Sequence, residues 1–475
     1  MKSSHNACGR RDPATNRREF LTRAGGGLGL LALTGLLGET GVLADGGPLI
    51  SSHPLAPRPA HRRPQAKAVI WLFMEGGPSG FDLFDPKPEL QRRSGQRVDH
   101  IQTFFGNPGP LLKSPFAFRQ HGQSGAWVSE VYPQMAAHVD DLAFIKSCYA
   151  ESNNHAPAMF HMNTGMTRPG FPSAGSWVSY GLGTANQNLP GYVVLGNHRG
   201  SKGGSPNWSN GFLPSVYQGT AFRPGNHPIL NLIRPDDVGA LDQRAQLNLL
   251  SELNAVHQGT HPEEPDLLAR IENFEMAFRL QTEAAQVVDL ANETAATRRL
   301  YGLENPNSRA FGTKCLLARR LVENGVRFVQ VYCDEEWDAH GDIAGNHRDM
   351  AAQTDAGIHG LLSDLKARGL WDDVLVVWGG EFGRMPVSEG GKGRDHNPHG
   401  FCMWMGGAGI RGGVSHGATD DVGYAAVQDR VSIHDLHATM LHLLGLNHER
   451  LTYRHNGRNF RLTDVSGEII TPILA

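Results

Sequence analysis

Cysteine is scarce in this sequence, which has five cysteines in 475 residues, and no two of them form a C-x-x-C pair. This scarcity counts against a disulfide framework and against the cysteine-rich ligand sets typical of structural zinc. Cys148, Cys333 and Cys402 each lie in or beside a predicted strand. We therefore expect buried free thiols, with a single disulfide bond as the alternative.

The sequence also lacks an excess of positive charge, because 44 Lys and Arg residues stand against 47 Asp and Glu residues. Residues 1–44 contain six of the basic and three of the acidic residues, so the net charge of −3 becomes −6 without them. Nucleic-acid-binding domains are usually basic. We therefore expect no nucleic-acid partner.

A long hydrophobic run is also missing from the N-terminal region. Residues 28–37 are apolar but interrupted by glycine, and they are too short to span a hydrocarbon core of about 30 Å. They follow the sequence NRREFL at residues 16–21, which matches a twin-arginine signature, and precede a small-residue cleavage site at residues 42–44. This order predicts a twin-arginine signal peptide over residues 1–44, a periplasmic or extracytoplasmic mature protein and no permanent membrane anchor.

Short apolar runs rich in β-branched residues recur along the rest of the chain. They predict strands at residues 68–74, 142–148, 192–195, 327–333, 374–378 and 401–405. Such runs are typical of strands that are buried on both faces in a parallel sheet covered by helices. A predicted helix at residues 347–368 joins two of these strands in a βαβ unit with a right-handed crossover. The sequence therefore predicts an α/β fold.

Several other stretches do not follow this pattern. Residues 45–66 are rich in Pro, Ser and Arg and predict a linker, and residues 165–183 predict a loop rich in glycine and serine. Residues from about 196 to 240 predict an irregular insertion. Apolar positions at helical spacing from about 262 to 300 predict a helical insertion that serves as a lid or an outer layer. The length fits one large domain over residues 67–475, or two domains.

The most distinctive polar pattern follows the predicted strand at residues 374–378. Its charged and imidazole side chains include Glu381, Arg384, Arg394, Asp395, His396 and His399. In open α/β sheets, ligands bind beyond the carboxyl ends of the strands, so we predict a site here for a cation, an anionic substrate or both. The two arginines suit a bidentate contact with an anionic oxygen pair. The alternative is a solvated loop whose charges pair with one another.

Other predicted strands also end in carboxylates or imidazoles. These residues are Glu75, His155, Asp338, His340 and Asp342. Mixed carboxylate and imidazole ligands suit zinc, manganese or iron in a reactive site. Each residue taken alone fits a structural role better, such as a turn cap or a solvated charge. The prediction of a metal site therefore depends on the convergence of the whole set.

Two further patterns are expected to be structural rather than functional. The predicted helix near the C-terminus carries His434, His437 and His442 on about one face, where packing is favoured over metal binding. Ser79 follows a tight Gly-Pro turn, but the nucleophile elbow of hydrolases also needs glycine at the position of Phe81. We therefore expect no nucleophilic role for Ser79.

Five segments of the chain carry a resemblance to a known family. They read WLFMEGGPSGFDLFDPKP, SAGSWVSYGLG, DEEWDAHGD, GGEFGRMP with GRDHNPHG, and DLHATMLHLLG. They resemble the exported family called domain-of-unknown-function family 1501, which is similar to sulfatases within the alkaline phosphatase superfamily. The resemblance implies a single sulfatase-like domain over residues 67–475, a three-layer αβα sandwich with a central, mostly parallel sheet. It also implies an ester-hydrolysing metal site at the strand ends.

The resemblance also implies roles for individual residues. The expected metal ligands are Glu75, Asp338, His340 (or Asp342), Glu381 and His396. Phe382 takes the place of one ligand of a second metal ion. His155 occupies the position of the sulfatase nucleophile, where Pro157 matches but the cysteine does not, so His155 is expected to act as nucleophile, acid/base or ligand. We assign catalytic roles to His155 and Arg384, and substrate binding to Arg394 and His399.

The leading functional hypothesis is an exported, metal-dependent hydrolase of sulfate or phosphate esters. We expect a divalent ion such as zinc, manganese or calcium and a small anionic ester or sulfated glycan as substrate. The alternative is a non-catalytic protein that binds an anionic glycan or a protein partner. Metal content and turnover of generic aryl esters separate these two hypotheses.

Replacing Arg17 and Arg18 together by lysine is expected to leave the precursor in the cytoplasm, because the export route reads the arginine pair. Cell fractionation and immunoblotting of precursor and mature protein would measure this effect. The matched control replaces Arg10 and Arg11, which lie outside the signature, and should leave export unchanged. Normal export of the Arg17→Lys/Arg18→Lys variant would contradict the assignment.

Overall fold

A computed structural model of the chain describes residues 54–104, 108–196, 200–222, 238–260, 273–281, 287–333 and 335–475. The predicted signal peptide at residues 1–44 and the first part of the predicted linker lie outside the described residues. Parts of the two predicted insertions do so as well.

The strands of the chain have the following bounds. In chain order they are β1 Ala68–Phe73, β2 Phe118–His121, β3 Ala126–Ser129, β4 Leu142–Tyr149, β5 Tyr192–Leu195, β6 Thr220–Phe222, β7 Phe328–Tyr332, β8 Val374–Gly379, β9 Gly383–Arg384, β10 His396–Asn397, β11 Phe401–Gly407, β12 Val414–His416, β13 Ala418–Thr419, β14 Ala426–Gln428, β15 Val431–Ser432, β16 Tyr453–His455 and β17 Arg458–Phe460. The six strands predicted from apolar runs are confirmed as β1, β4, β5, β7, β8 and β11, with ends that differ by at most two residues.

Helices connect these strands. They are α1 Gly80–Leu83, α2 Pro88–Arg92, α3 His155–Thr164, α4 Ala174–Leu182, α5 Ala240–Thr260, α6 Ala295–Leu300, α7 Pro306–Glu323, α8 Ile343–Ala367 and α9 Ile433–Leu443. Short 3-10 helices lie at Met135–Asp141, Ser205–Trp208, Ser215–Tyr217 and Thr471–Ile473. Among the helices of the described residues, none combines the length and apolarity needed to cross a membrane.

The central sheet has the strand order β12-β4-β11-β8-β1-β7-β5-β6, and β15 also pairs with β4. Strand β1 pairs in parallel with both β7 and β8, and β5 pairs in parallel with β6 and β7. Among the strands of this sheet, only β11 runs antiparallel to its neighbours, which are β8 and β4. All residues of β1, β5, β7, β8 and β11 are buried, as expected for strands covered on both faces. The predicted α/β fold with a central, mostly parallel sheet is confirmed.

This topology brings several strand ends to one edge of the sheet. Because β4 and β8 both run antiparallel to β11, their carboxyl ends lie on the same side as those of β1, β5 and β7. Strand β11 begins at that side, directly after β10. Loops that are far apart in the sequence therefore meet at a single edge.

The prediction of a loop over residues 165–183 is wrong, because helix α4 lies within this range. Its serines and glycines do not prevent a helix, since Trp177 and Val178 pack into the core. Gly175 permits close packing on the sheet: a Cβ atom at this position would lie 2.7 Å from the ring of Tyr192. Packing against the sheet thus outweighs the weak helix propensity of these residues.

Residues 54–66, which form the described part of the predicted linker, pack against the domain. Leu55 is buried, and the backbone N–H groups of Gln65 and Ala66 donate to Leu443 O over 2.8 and 2.9 Å. Arg62 N donates to Gly445 O over 3.1 Å. These hydrogen bonds fix a segment whose composition alone resembles a loose arm.

The cysteines are buried and two histidines of α9 have packing roles, as the sequence predicts. Within the described residues, Cys148, Cys315, Cys333 and Cys402 are buried thiols that form no disulfide bond with one another. Nε2 of His437 donates to Met162 O over 2.8 Å, and Nε2 of His434 donates to Gly165 O over the same distance. These two histidines therefore fasten α9 to the carboxyl end of α3. The Ser79 hydroxyl donates to Asp82 within the core.

The free energy of unfolding is expected to decrease as the pH falls below 6.5, and replacing the buried His161 by leucine should make this decrease smaller. Burial, aided by neighbouring His434, lowers the pKa of His161 from 6.5 to about 4. As the pH falls, the unfolded chain therefore binds this proton first. The stabilising effect of the neutral ring is complete above pH 6.5 and is lost towards pH 4, at about 1.4 kcal/mol per pH unit.

Denaturant unfolding at pH 7.5 and pH 5 would measure this difference in pH dependence. Both ring nitrogens of His161 are buried without a hydrogen-bond partner in the described structure, so leucine leaves no polar group unsatisfied. The control variant His100→Leu changes an exposed histidine and should keep the wild-type dependence. A His161→Leu variant that also keeps it would contradict the burial of a neutral ring.

Candidate metal centre

The candidate site lies where the carboxyl ends of β4, β7 and β8 meet. His155 is the first residue of α3, which follows β4. Asp338 and His340 follow β7, and His396 begins β10, which pairs with β9 in a short hairpin after β8. The parallel order of the sheet thus brings three separate chain segments to one place.

Asp338 lies at the centre of this site. Four side chains offer ligand atoms that all lie within 4.8 Å of one another: His155, Asp338, His340 and His396. The Nε2 atoms of His340 and His396 lie 3.1 and 3.3 Å from Asp338 Oδ1. The Nε2 atom of His155 lies 3.1 Å from Asp338 Oδ2. Three imidazole nitrogens thus converge on one carboxylate.

Each of the three imidazoles contacts an oxygen atom through Nδ1, the ring nitrogen that faces away from Asp338. Nδ1 of His155 lies 2.7 Å from Glu381 Oε1, and Nδ1 of His340 lies 2.6 Å from Glu389 Oε2. Nδ1 of His396 donates to the carbonyl oxygen of Asn153 over 2.7 Å. Metal-binding histidines typically use the second ring nitrogen in this way, which orients the ring and fixes its tautomer.

The tautomers implied by these contacts fit a cation among the Nε2 atoms. The carbonyl of Asn153 can only accept, so Nδ1 of His396 carries the proton and Nε2 of the neutral ring carries a lone pair. The Glu389 carboxylate favours the same tautomer in His340. The two Nε2 atoms lie only 2.8 Å apart, where two lone pairs repel unless a proton or a metal ion lies between them. Nε2 of His155 is buried and makes no hydrogen bond within the described residues.

Electrostatics keep Asp338 ionised. Burial disfavours its charge, but the three imidazoles and the charge of Arg384 together hold the pKa of Asp338 well below its usual range. Contact with Asp338 raises the pKa of His340, whereas burial lowers the pKa of His396. The site therefore presents a carboxylate at neutral pH. Its chemistry, three imidazoles and one carboxylate, suits zinc or manganese better than calcium, which prefers oxygen ligands.

The two predicted anion-binding arginines are structural in this fold. Arg384 is fully buried and donates to Asp338 Oδ1 over 2.7 Å, to Gly77 O and Arg394 O over 3.0 Å each, and also to Gly76 O. Arg384 therefore positions Asp338. Arg394 is also fully buried, and its guanidinium pairs with Asp82 over 2.8 Å and lies over the ring of Phe81. The prediction that Arg394 binds substrate is corrected, because the core occupies its donors.

Two predicted carboxylate ligands lie outside the four-residue group. Glu381 accepts from His155 and from the backbone N–H of Gly76, so it contacts a ligand from behind. Glu75 accepts from Ser201 Oγ over 2.9 Å and from Lys202 N over 2.6 Å. Burial, with repulsion from Glu381, raises the pKa of Glu75 to about 7, although the Lys202 N–H opposes this shift. The structure thus places both carboxylates around the site rather than in it.

Three other predicted positions have separate surroundings. Asp342 caps α8 by accepting from the backbone N–H groups of Ala344 and Gly345 over 3.1 Å each. His399 is exposed and its ring packs against Tyr424. The ring of Phe382 is buried against the candidate ligands, with its centroid 4.9 Å from that of His155 and 4.5 Å from that of His396.

Several residues of the site were not predicted from sequence. Lys202 Nζ lies 2.9 Å from Asp338 Oδ2 and 2.8 Å from Glu336 Oε2. Glu389 and Asp395 form a second group of potential ligands with His340. However, the Asp395 carboxylate also accepts from the backbone N–H of His396 over 2.7 Å. Asp395 belongs to the polar segment after β8 that the sequence already singles out, and Glu389 lies in the same segment. Lys202 had no sequence signal.

A family model described as "Protein of unknown function (DUF1501)" matches residues 66–474. The chain belongs to this family. The match spans all the strands and helices that surround the candidate centre of this DUF1501 protein, so the predicted family is confirmed. A comparison with curated proteins found no match.

Solved structures show weak similarity to this DUF1501 protein. The lipoteichoic acid synthase LtaP from Listeria monocytogenes is 10% identical, with a TM-score of 0.36 over 86% of this chain and 78% of that chain. The phosphonate monoester hydrolase SpPMH from Silicibacter pomeroyi is 11% identical, with a TM-score of 0.36 over 72% and 71%. Alkaline phosphatase from the Antarctic bacterium TAB5 is 10% identical, with a TM-score of 0.35 over 81% and 99%. At these scores the similarity carries no argument about activity.

Proposed function

We propose that this DUF1501 protein is an exported hydrolase of sulfate or phosphate esters that depends on one divalent metal ion. The observation that carries this proposal is the convergence of three imidazole Nε2 atoms on the partly buried carboxylate of Asp338. The proposed ligands are His155, Asp338, His340 and His396. Export is proposed from the twin-arginine signature at residues 16–21.

Donor chemistry supports zinc or manganese as the ion and counts against calcium. When bound, such an ion supplies an activated water and stabilises negative charge on a transferred group. Two observations support one ion rather than a pair. Phe382, whose side chain cannot ligate, packs on His155 and His396, and Glu381 is engaged by His155 and Gly76.

His155 is better suited to hold the ion than to act as a nucleophile. Its Nδ1 atom is occupied by Glu381, so Nε2 is the nitrogen left for chemistry. That atom faces Asp338 and belongs to the same four-residue group as the other imidazoles. The ligand role is therefore the one that we adopt among the three expected for this residue.

Lys202 is the cation best placed to meet an anionic ester. Its side chain is 29% exposed, whereas Arg384 and Arg394 are fully buried. Its ammonium group lies against Asp338 Oδ2, at the edge of the four-residue group. A sulfate or phosphate group bound at this edge would lie within reach of Lys202, which would neutralise part of its charge.

Replacing Asp338 by asparagine is expected to lower the metal content of the purified protein at least tenfold, because the only carboxylate among the four proposed ligands loses its charge. Elemental analysis after native export would measure this change, with about one zinc or manganese per chain expected in the wild type. The control Asp342→Asn keeps a good helix cap and should keep the metal. Turnover of aryl sulfate and aryl phosphate esters should fall with the metal content.

A wild-type protein without a divalent metal would contradict the proposed centre. A wild-type protein with one metal ion but no turnover of any anionic ester would favour the alternative, a non-catalytic protein that binds an anionic glycan or a protein partner.

Replacing Lys202 by methionine is expected to lower kcat/KM for anionic esters by about 10–100-fold, since the charge-assisted hydrogen bond to the substrate is lost. Steady-state kinetics and metal analysis on the same preparation would show whether the metal is retained. The control Lys67→Met removes an exposed lysine that pairs with Asp373 at the opposite edge of the sheet, and it should leave both quantities unchanged. An unchanged kcat/KM in Lys202→Met would exclude this role.

A further inference from the structure

We infer that Glu381 and Glu389 are positioning residues, which orient His155 and His340 towards the metal ion. Glu381 is inferred to affect metal affinity more strongly than Glu389 does. This inference rests on the proposed metal centre. It reverses the role expected for Glu381, which the family resemblance implies as a direct ligand. The observation behind it is that the three imidazoles have three different outer acceptors: a buried carboxylate, a half-exposed carboxylate and a neutral carbonyl.

Glu381 is the most strongly constrained of these acceptors. Its side chain is 0% exposed, and Oε1 accepts from both Nδ1 of His155 over 2.7 Å and the backbone N–H of Gly76 over 3.0 Å. The same N–H of Gly76 also lies 3.3 Å from Oε2. In a buried environment a full negative charge behind the ring makes Nε2 a better electron donor. Glu381 therefore fixes both the orientation and the basicity of His155.

The approach of Gly76 to Glu381 depends on a glycine at this position. The φ angle of Gly76 is +106°, and a Cβ atom there would lie 2.6 Å from Trp337 N and 2.7 Å from Asp338 N. A larger residue would push the turn after β1 away from the segment that carries Asp338. The turn that supports Glu381 is thus built against the same segment that supplies the central ligand.

Glu389 is constrained less. The side chains of Glu389 and His340 are 29% and 31% exposed, so water can replace the carboxylate at Nδ1 of His340. Glu389 is held mainly through its backbone, which pairs with Gly393 in both directions over 2.8 and 3.0 Å. The acceptor of His396, the carbonyl of Asn153, has no net charge. The expected order of influence on metal affinity is therefore Glu381 first and Glu389 second.

The test is zinc affinity, measured on the full mature chain by competition with a chelator. Glu381→Gln should weaken zinc binding by about 10–100-fold. Glutamine keeps an oxygen in the position of Oε1, so the hydrogen bonds from His155 and Gly76 to that atom remain. The charge is removed, and with it the longer 3.3 Å contact of Gly76 N with Oε2. Glu381→Ala should weaken binding further, because the orientation of His155 is lost as well. Glu389→Gln should weaken binding by less than about tenfold.

The matched control is Glu336→Gln, which removes a carboxylate that binds Lys202 rather than an imidazole, and it should keep wild-type zinc affinity. The visible absorption of the cobalt-loaded protein gives a second readout, since its d–d bands depend on the ligand field. Glu381→Gln should shift these bands, whereas a purely structural role would leave them unchanged. Unfolding of the metal-free proteins should show that Glu381→Gln is as stable as the wild type, or more so, because a buried charge is removed.

The outcomes separate the two proposals. A wild-type chain that binds no zinc would overturn the metal centre itself. If the wild-type chain binds zinc, and Glu381→Gln and Glu381→Ala bind it as tightly as the wild type does, the positioning role is overturned but the metal centre is not. Equal losses in Glu381→Gln and Glu389→Gln would overturn the unequal weighting.

Discussion

The candidate centre depends on the need to compensate the negative charge of Asp338, whose side chain is only 21% exposed. A carboxylate taken out of water costs several kcal/mol unless it is paired and hydrogen-bonded. Arg384 supplies one partner, and its remaining donors bind the carbonyls of Gly76, Gly77 and Arg394. One guanidinium thus ties the turn after β1, the segment after β7 and the β9–β10 hairpin together. The imidazoles that face Asp338 are arranged around this fixed point.

Close backbone approach explains why glycine is so frequent at these strand ends. A Cβ atom at Gly393 would lie 1.6 Å from the carbonyl oxygen of His340, and one at Gly76 would lie 2.6 Å from Trp337 N and 2.7 Å from Asp338 N. Both glycines stand where two segments of the centre touch through their main chains. Glycine here serves contact between loops, so that polar side chains from distant segments can reach one another.

Sequence reasoning predicted the strands and the edge at which the polar residues gather, because continuous apolar runs and parallel order follow from local pattern. It placed His155, Asp338, His340 and His396 after three different strands. It could not assign Arg394, whose pairing with Asp82 spans more than 300 positions of the chain. Nor could it find Lys202, which lies in an insertion without apolar periodicity. Burial and long-range pairing decide whether a charged residue supports the core or faces a ligand, and neither is encoded locally.

The departure at Phe382 connects the family resemblance to the geometry. The resemblance implies a metal ligand at this position, yet the structure buries an aromatic ring there against His155 and His396. Such a ring donates nothing to a second ion, but it excludes water from one side of the two imidazoles and limits their rotation. In a drier surrounding, each electrostatic contact with Asp338 is stronger. For the proposed centre, the lack of a second metal site and the closer positioning of His155 and His396 would therefore both follow from this one residue.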